Sequence, residues 1–592
     1  MRDRILAFRT GSPKTGFKAI RFRHILEIKE GVNLMNVWRK KSVTVLAAVM
    51  ALGTVIAGCS GGGDKGGATE EAKSGTTGSS TATAGSDNKG GPFKLGSEPF
   101  TFSVYGHYNW YTMPPWGKDP FTKAIQDKYK VNITAVNSGG NMEAKLNTMI
   151  VSNDLPDVIW GDRDQFNRLI ENGQLLPLDP YLDKYPNLKK WAGEGLLNML
   201  RAKDGKLYLF PNWYTNKPIG NAGYVVNKKI YEALGKPKLE TTDDLYEYLK
   251  QVKAKFPDII PFEPGQASEG KGVDMLFSAF RENNPASFMG TLRAVPKDGK
   301  FTSLFADPVF KEAMTFVNKL HREQLMTHDA LTQKLDQVRE KLNTGRVAVY
   351  ADITATDYAA PAHELLKKND PNAGYFMIWP IHKPGLDKNK ITVAHYDRLG
   401  WNAAAITKNA KEPEKIFAFF DWMTSPEGMR EIVWGPEGMY WQGVDADGLP
   451  NLTEKFNSDP DRQKNMTATD NFQFVGNATY NDKIKVKAEL SLPPEKRSWA
   501  TLYQDTITWK THLDITAMRG IEPSPDSEEG VIRTRWIELY KKVRAQAILA
   551  KSEEEVAKII DQGEKDAQAL GLPKLLDYMT KRWKENEEKL KK

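Results

Sequence analysis

The chain predicts an α/β fold. Three observations carry this. Short runs of aromatic and β-branched residues alternate with helical stretches over most of the chain. Aromatics are plentiful, at 10% of 592 residues, so there is ample apolar material for large cores. A single cysteine excludes an internal disulfide framework and a cysteine-rich zinc site.

The elements follow in order. Phe100-Thr-Phe-Ser-Val-Tyr105 reads as a strand, Pro120 to Tyr129 as a helix and Val131 to Val136 as a second strand. Asn141 to Ser152 is amphipathic, with Met142, Leu146, Met149 and Ile150 on one face. Asp157-Val-Ile-Trp160 is a third strand. A second such stretch runs from about Tyr224 to Trp379. It holds the helices Thr242–Phe256 and Asp307–Glu323 and the strand Val347–Ala351. Ala403–Ile406 is a strand and Pro413–Met423 a helix. The last ninety residues are helical and charged, most clearly in Val531–Leu549 and Glu553–Leu570. The alternation predicts parallel sheets with right-handed crossovers. Sites in such sheets lie beyond the C-terminal strand ends. Here those ends carry Tyr105 to Trp110 and Trp160, Gly161 and Asp162.

The net charge of +8 is not a nucleic-acid signal. Residues 1–58 hold eleven basic and three acidic residues, which leaves 72 of each sign in the remainder. A phosphate-backbone binder needs a surplus of cations. No nucleic-acid partner is expected.

The front of the chain reads as a targeting signal. Arg39, Lys40 and Lys41 precede an uncharged apolar run, Ser42 to Gly58, that ends in Ile56-Ala57-Gly58-Cys59. The run is short for a bilayer span, and the only cysteine stands where the bacterial lipobox, which this motif resembles, has its lipidated residue. Residues 35–58 are therefore a lipoprotein signal peptide and Cys59 a lipidation site. Lys29-Glu30-Gly31 can be encoded by a purine-rich, ribosome-binding run just upstream of Met35. On that reading residues 1–34 are a mis-assigned start, and codons lacking the run would sink it. Residues 59–97, rich in Gly, Ser and Thr, form a flexible tether. Gly61, Gly63 and Gly66 match a dinucleotide fingerprint by spacing alone, with no strand before and no helix after.

Six segments in order resemble the family 1 extracellular solute-binding lipoproteins, the sugar-capturing subunits of ABC importers. They are Asp154-Leu-Pro-Asp157 with its strand, Leu175-Leu-Pro-Leu-Asp179 with Pro180, Asp204-Gly-Lys-Leu-Tyr-Leu-Phe-Pro211, Lys341-Leu-Asn-Thr-Gly-Arg-Val-Ala-Val349, Trp422-Met-Thr-Ser-Pro-Glu-Gly428 and Gly435-Pro-Glu-Gly438. The similarity covers nearly all of 98–592 and is nearest the large oligosaccharide-binding branch. It implies a two-lobed, type II periplasmic-binding-protein-like fold with a hinge between lobes and a helical C-terminal extension. Lobe 1 would take 98–215 plus about 400–500, and lobe 2 would take 216–399 plus about 501–592. Crossings would fall near Tyr214–Tyr224, near Asp397–Asn402 and before the C-terminal helices. The implied function is capture of an oligosaccharide in the inter-lobe cleft and delivery to permease subunits. The protein would be a monomer, held by its lipid on the outer face of the cell membrane.

A pyranose has apolar faces for aromatic rings and polar edges for carboxylates and guanidinium groups. The candidate contacts are Tyr105, Tyr108, Trp110, Asp162, Trp213, Tyr214, Asp352, Asp397, Arg398, Trp401, Trp434, Tyr440 and Trp441, foremost Trp401, Tyr440, Asp162 and Trp110. His107 and Tyr111 lie in the same run. Trp191 and Trp422 sit in helical patterns and read as core. No catalytic residue, cofactor or metal is assigned. His363-Glu364 lacks the second histidine of a zinc helix, and no G-x-S-x-G or Walker loop occurs. Asp445-Ala-Asp447-Gly448 hints at a calcium loop but lacks its later acidic ligands, so it reads as a plain turn. Two other classes compete with the binding subunit: a surface enzyme acting on polysaccharide, and a ligand sensor without transport.

Overall fold

Two mixed sheets organise the chain, each with helices on both faces. A computed structural model describes residues 91–283 and 293–591. The early start, the signal peptide, Cys59, the glycine run and most of the tether lie outside the described residues. From Pro92 onward the chain is one compact unit.

The first lobe begins with β1 (Phe100–Gly106), β2 (Val131–Val136), β3 (Val158–Gly161) and β4 (Phe210–Asn212). The chain then crosses to β5 (Gly223–Asn227), β6 (Ile260–Glu263), β7 (Ala294–Lys297), β8 (Lys300–Ser303), β9 (Val347–Asp352), β10 (Tyr375–Ile378) and β11 (Ala394–Tyr396). It returns as β12 (Asn402–Ile406), forms the hairpin β13 (Trp441–Val444) and β14 (Pro450–Leu452), and crosses again before β15 (His512–Asp514). The first sheet has the order β2-β1-β3-β12-β4 and the second β10-β5-β9-β6.

Neither sheet is wholly parallel, which corrects the expectation from alternation. β1 runs parallel to β2 and β3, but β12 is antiparallel to β3 and to β4. β6 is parallel to β9, and β5 is antiparallel to both β9 and β10. The cause is the crossing of the chain. β5 and β12 each enter their sheet from the hinge, whereas strands reached through a helix on the same lobe run towards it.

Local signals account for the boundaries. Asp119 accepts the amides of Phe121 and Thr122, Pro120 opens the helix Pro120–Tyr129, and Lys130 ends it in the left-handed region. Thr241 and Asp244 form a reciprocal capping box at the helix Thr242–Lys255. In the strands, period-2 alternation splits the first core. Phe102, Val104, Val158, Trp160, Ala404 and Ile406 face one layer of helices. Tyr105, Ile159, Ala403 and Ala405 face Leu146, Met149 and Phe166 on the other. Phe93 joins this lobe before the boundary read from sequence: its amide donates to the Tyr185 hydroxyl at 2.7 Å and its ring meets Phe100 edge-on.

The second lobe has its own core, which takes in Trp536, Tyr540, Ile560, Leu575, Met579 and Trp583 from the helices Glu528–Leu549, Glu553–Ala569 and Leu572–Lys591. The extension is not confined to that lobe. A Cβ on Gly195, in the helix Glu194–Leu200 of lobe 1, would come within 2.5 Å of the Leu590 carbonyl oxygen. Glycine is what permits this backbone-to-backbone approach.

Three segments cross between the lobes, at 213–222, 397–401 and 491–498. The first two lie side by side, and the start of the helix that leads into the third meets the first. The Trp401 amide donates to Asn212 O at 3.0 Å, Thr215 N to Arg398 O at 3.2 Å and Ala478 N to Tyr214 O at 3.0 Å. Gly400 has φ +78°, and a Cβ there would lie 2.3 Å from Asn212 O and 2.6 Å from Tyr214 N.

Candidate functional site

The C-terminal ends of β1 and β3 point at the crossing segments, and the aromatic rings gather there. Two glycines make room. A Cβ on Gly106 would lie 2.5 Å from the Tyr111 ring, and one on Gly161 3.2 Å from His107 Cβ. With no side chain at either position, the turn after β1 folds back over β3.

Five rings form one cluster. Trp110 and Trp401 stack with centroids 6.0 Å apart and planes 20° apart. Tyr108 stacks on Trp401 at 5.7 Å and lies 5.1 Å from Trp110. Trp160 stands edge-on beneath, 4.8 Å from both Tyr108 and Tyr111 and 5.5 Å from Trp401. Trp160 is fully buried, Trp401 half-buried and Trp110 39% exposed. A large indole left open on a packed base is a ledge for an apolar face.

A polar relay runs under the ledge. The Tyr108 hydroxyl donates to Asp162 Oδ1 at 2.7 Å and accepts from Asn402 Nδ2 at 2.7 Å. Asn402 Oδ1 accepts from Trp160 Nε1 at 2.8 Å and from Asn212 Nδ2 at 2.7 Å. Burial, and then the Asp162 carboxylate, push the Tyr108 hydroxyl far above its usual range, so it remains a donor. Asp162 itself is half-buried. Next to it, Arg163 donates to the carbonyls of Leu399 at 3.3 Å and Gly400 at 3.0 Å. Burial pulls that guanidinium down, and the Asp397 carboxylate opposes the shift.

The sequence candidates divide. Tyr108, Trp110, Asp162 and Trp401 come together. Asp397 and Arg398 lie beside them but serve the crossing, in ion pairs with Arg519 at 3.0 Å and Asp514 at 3.2 Å. Asp352 ends β9 on the other lobe, buried, accepting from Thr354 N and Oγ1, with its carboxyl raised by burial. Five candidates are packing residues. Tyr105 is fully buried because strand alternation sends it to the opposite face, where its hydroxyl donates to Met142 O. Tyr214 is fully buried among the crossings. Trp434 packs on Phe456, Tyr440 donates to Asp459, and the Trp441 indole donates to Gly435 O. All three belong to the core of lobe 1. Trp213, with φ 52°, lays its indole over Gly476, where a Cβ would come within 2.5 Å of it.

Sequence reasoning missed Asn402, Asn212 and Arg163. Arg163 carried a signal, since it follows Asp162 at a strand end. The two asparagines carried none, because a relay closed across 190 positions of chain has no local pattern. Among the described residues no group of three or more His, Cys, Asp and Glu could hold a metal. A groove of about 820 Å³ lies elsewhere, between the helix Pro308–Arg322 and the helical extension. Across it Lys311 pairs with Asp561 at 2.6 Å, and it meets none of the rings.

Two lobes, each with its own mixed sheet, joined by crossing segments make this the two-lobed fold of the type II solute-binding class. Residues 111–430, more than half of the chain, match the model of the bacterial extracellular solute-binding protein family, and the chain belongs to that family. It is 23% identical over 425 residues to the polygalacturonan/rhamnogalacturonan-binding protein YtcQ of Bacillus subtilis, covering 69% of this chain and 74% of that one. It is 24% identical over 328 residues to the lipoprotein LipO of the same organism, covering 53% and 62%. Its fold is similar to that of an HMO binding ABC-transporter associated solute binding protein from Bifidobacterium longum infantis. The TM-score is 0.61 at 16% identity, over 82% of this chain and 99% of that one.

Proposed function

We propose that this solute-binding protein captures an oligosaccharide at the Trp110–Trp401 ledge and hands it intact to an ABC importer permease. The ledge carries the reading: two indoles present an apolar face, and Asp162, fixed by Tyr108, accepts from sugar hydroxyls at its edge. Trp401 lies in the second crossing, and Asp162 is followed by Arg163, which holds the carbonyls of Leu399 and Gly400 in that crossing, so a bound sugar touches the part that moves. Lobe closure around ligand is then driven by contacts that only the closed state makes. Lobe 1 comprises 98–215 with about 400–500, and lobe 2 comprises 216–399 with about 501–592. The protein acts as a monomer without turnover, held outside the membrane by a lipid on Cys59, after signal peptide 35–58 and tether 59–97. The names of the relatives support this: one is a polygalacturonan/rhamnogalacturonan-binding protein, another a lipoprotein.

The test is a thermal-shift screen of the protein against neutral and acidic oligosaccharides, pectic fragments first, with product analysis of every hit. Ligand at a hundred times its dissociation constant adds about 2.7 kcal/mol, a rise of a few degrees. A shift with intact sugar is the expected result. Cleaved sugar makes the protein an enzyme, and no shift with any glycan overturns the reading.

A further inference from the structure

The Asp445-Ala-Asp447-Gly448 turn has a use that the ligand site does not explain. It closes the β13–β14 hairpin, with Gly448 at φ +74°. Asp445 Oδ1 accepts the amides of Asp447 at 3.0 Å and Leu449 at 2.9 Å. The fold of the turn aims three further oxygens at one point: Asp445 Oδ2, Leu449 O and Asn451 Oδ1. The Lys487 ammonium occupies that point, at 2.6, 3.2 and 3.3 Å from them. An ammonium has three N–H donors and no acceptor, so donors and oxygens match in number. The neighbouring carbonyl, Gly448 O, is taken as well, by the Tyr480 hydroxyl at 2.5 Å and by Arg430 at 3.3 Å. Tyr480 and Lys487 both project from the helix Ala478–Leu490, which leads into the third crossing.

We propose that Lys487 is a built-in cation: its ammonium does inside this turn what a bound calcium ion does in an oxygen-lined loop, and it moors the hairpin to the helix without metal. A calcium ion needs six to eight oxygens at about 2.3–2.6 Å. Here a carboxylate oxygen, an amide oxygen and two main-chain carbonyls already face donors of the chain itself. Only the exposed Asp447 carboxylate is left, and a metal would have to expel the lysine.

The test is calorimetric unfolding of the native protein, Lys487→Met, Asp445→Asn and the double variant, each in millimolar calcium and in chelator. The native melting temperature stays the same in both. Each single variant loses about 2 °C, and the double variant loses little more than either alone, because the two side chains act on each other. Lys487→Gln, which keeps the stem and an N–H donor, falls between native and Lys487→Met. Two results overturn the proposal. One is a calcium-induced rise in the native protein that Asp445→Asn abolishes, which would place the metal in the turn. The other is simple addition of the two single effects. Both readouts are independent of any sugar, so they stand whether or not the ligand reading does.

Discussion

Replacing Asn402 with leucine should damage stability and ligand affinity together. Asn402 is fully buried and joins three partners: Trp160 Nε1, Asn212 Nδ2 and the Tyr108 hydroxyl. Leucine has a similar branched shape and no polar atom. Asn212 keeps its second bond, to Gln473 O at 2.7 Å, and Tyr108 keeps Asp162. The Trp160 N–H has no other partner nearby and is stranded in the core, at a cost of about 1–3 kcal/mol. The lost Asn402–Tyr108 bond adds about 1 kcal/mol. The sum is about 2–4 kcal/mol, read as a lower urea midpoint with an unchanged slope. On the proposed function the same change frees the Tyr108 ring and its hold on Asp162, so oligosaccharide affinity falls severalfold by calorimetric titration. A stability loss below about 0.5 kcal/mol would refute the relay as a support of the fold. Native affinity in a protein measurably destabilised would refute its role under the ledge.

Three further outcomes are expected. Trp110→Ala should weaken sugar binding about tenfold, or roughly 1.4 kcal/mol, and lower the unfolding midpoint less than Trp401→Ala does, because its ring is the more exposed of the two; Trp401→Ala should lower both. Gly400→Ala should cost about 2 kcal/mol or more, seen in the denaturation midpoint, since φ +78° and the Asn212 carbonyl 2.3 Å from the new Cβ both oppose it. Burial raises Glu263 to about 7 despite Lys341 at 3.3 Å, whose ammonium lies closer to Asp329, at 2.5 Å. A raised acid favours the protonated folded state, so native stability should fall as pH rises from about 4.5 to about 7, and Glu263→Gln should flatten that slope in urea titrations.

The elements were legible in the sequence because their signals are local. Asp119-Pro120 announces a helix start, and Val347–Ala351 is an apolar run of strand length. The direction of β5 and β12 was not legible, because it follows from crossing between lobes, and nothing within Gly223–Asn227 records which side the chain arrives from. The site divided in the same way. Trp110 and Asp162 follow strand ends, and the rule for α/β sheets finds such positions. Tyr440 and Trp441 also sit among turn residues, and there the rule misleads. Their hydroxyl and indole N–H find partners in Asp459 and Gly435 O, and that satisfaction lets a large polar-tipped ring become core.

The site and the hinge are joined by adjacency. Asp162 at the ledge is followed by Arg163, which grips the carbonyls of Leu399 and Gly400; Trp401 at the ledge is preceded by Gly400, whose bare Cα lies against the first crossing. A sugar that contacts Asp162 and Trp401 therefore touches both ends of a single clamp. On the proposed function the lobes rotate by turning the chain at 397–401, where Arg163 from lobe 1 and the ion pairs Arg398–Asp514 and Asp397–Arg519 hold the bend. Coupling of occupancy to closure then needs no long pathway through either core. It needs only that the ligand favour one arrangement of the bend at Gly400, by as much free energy as it contributes differently to the two states.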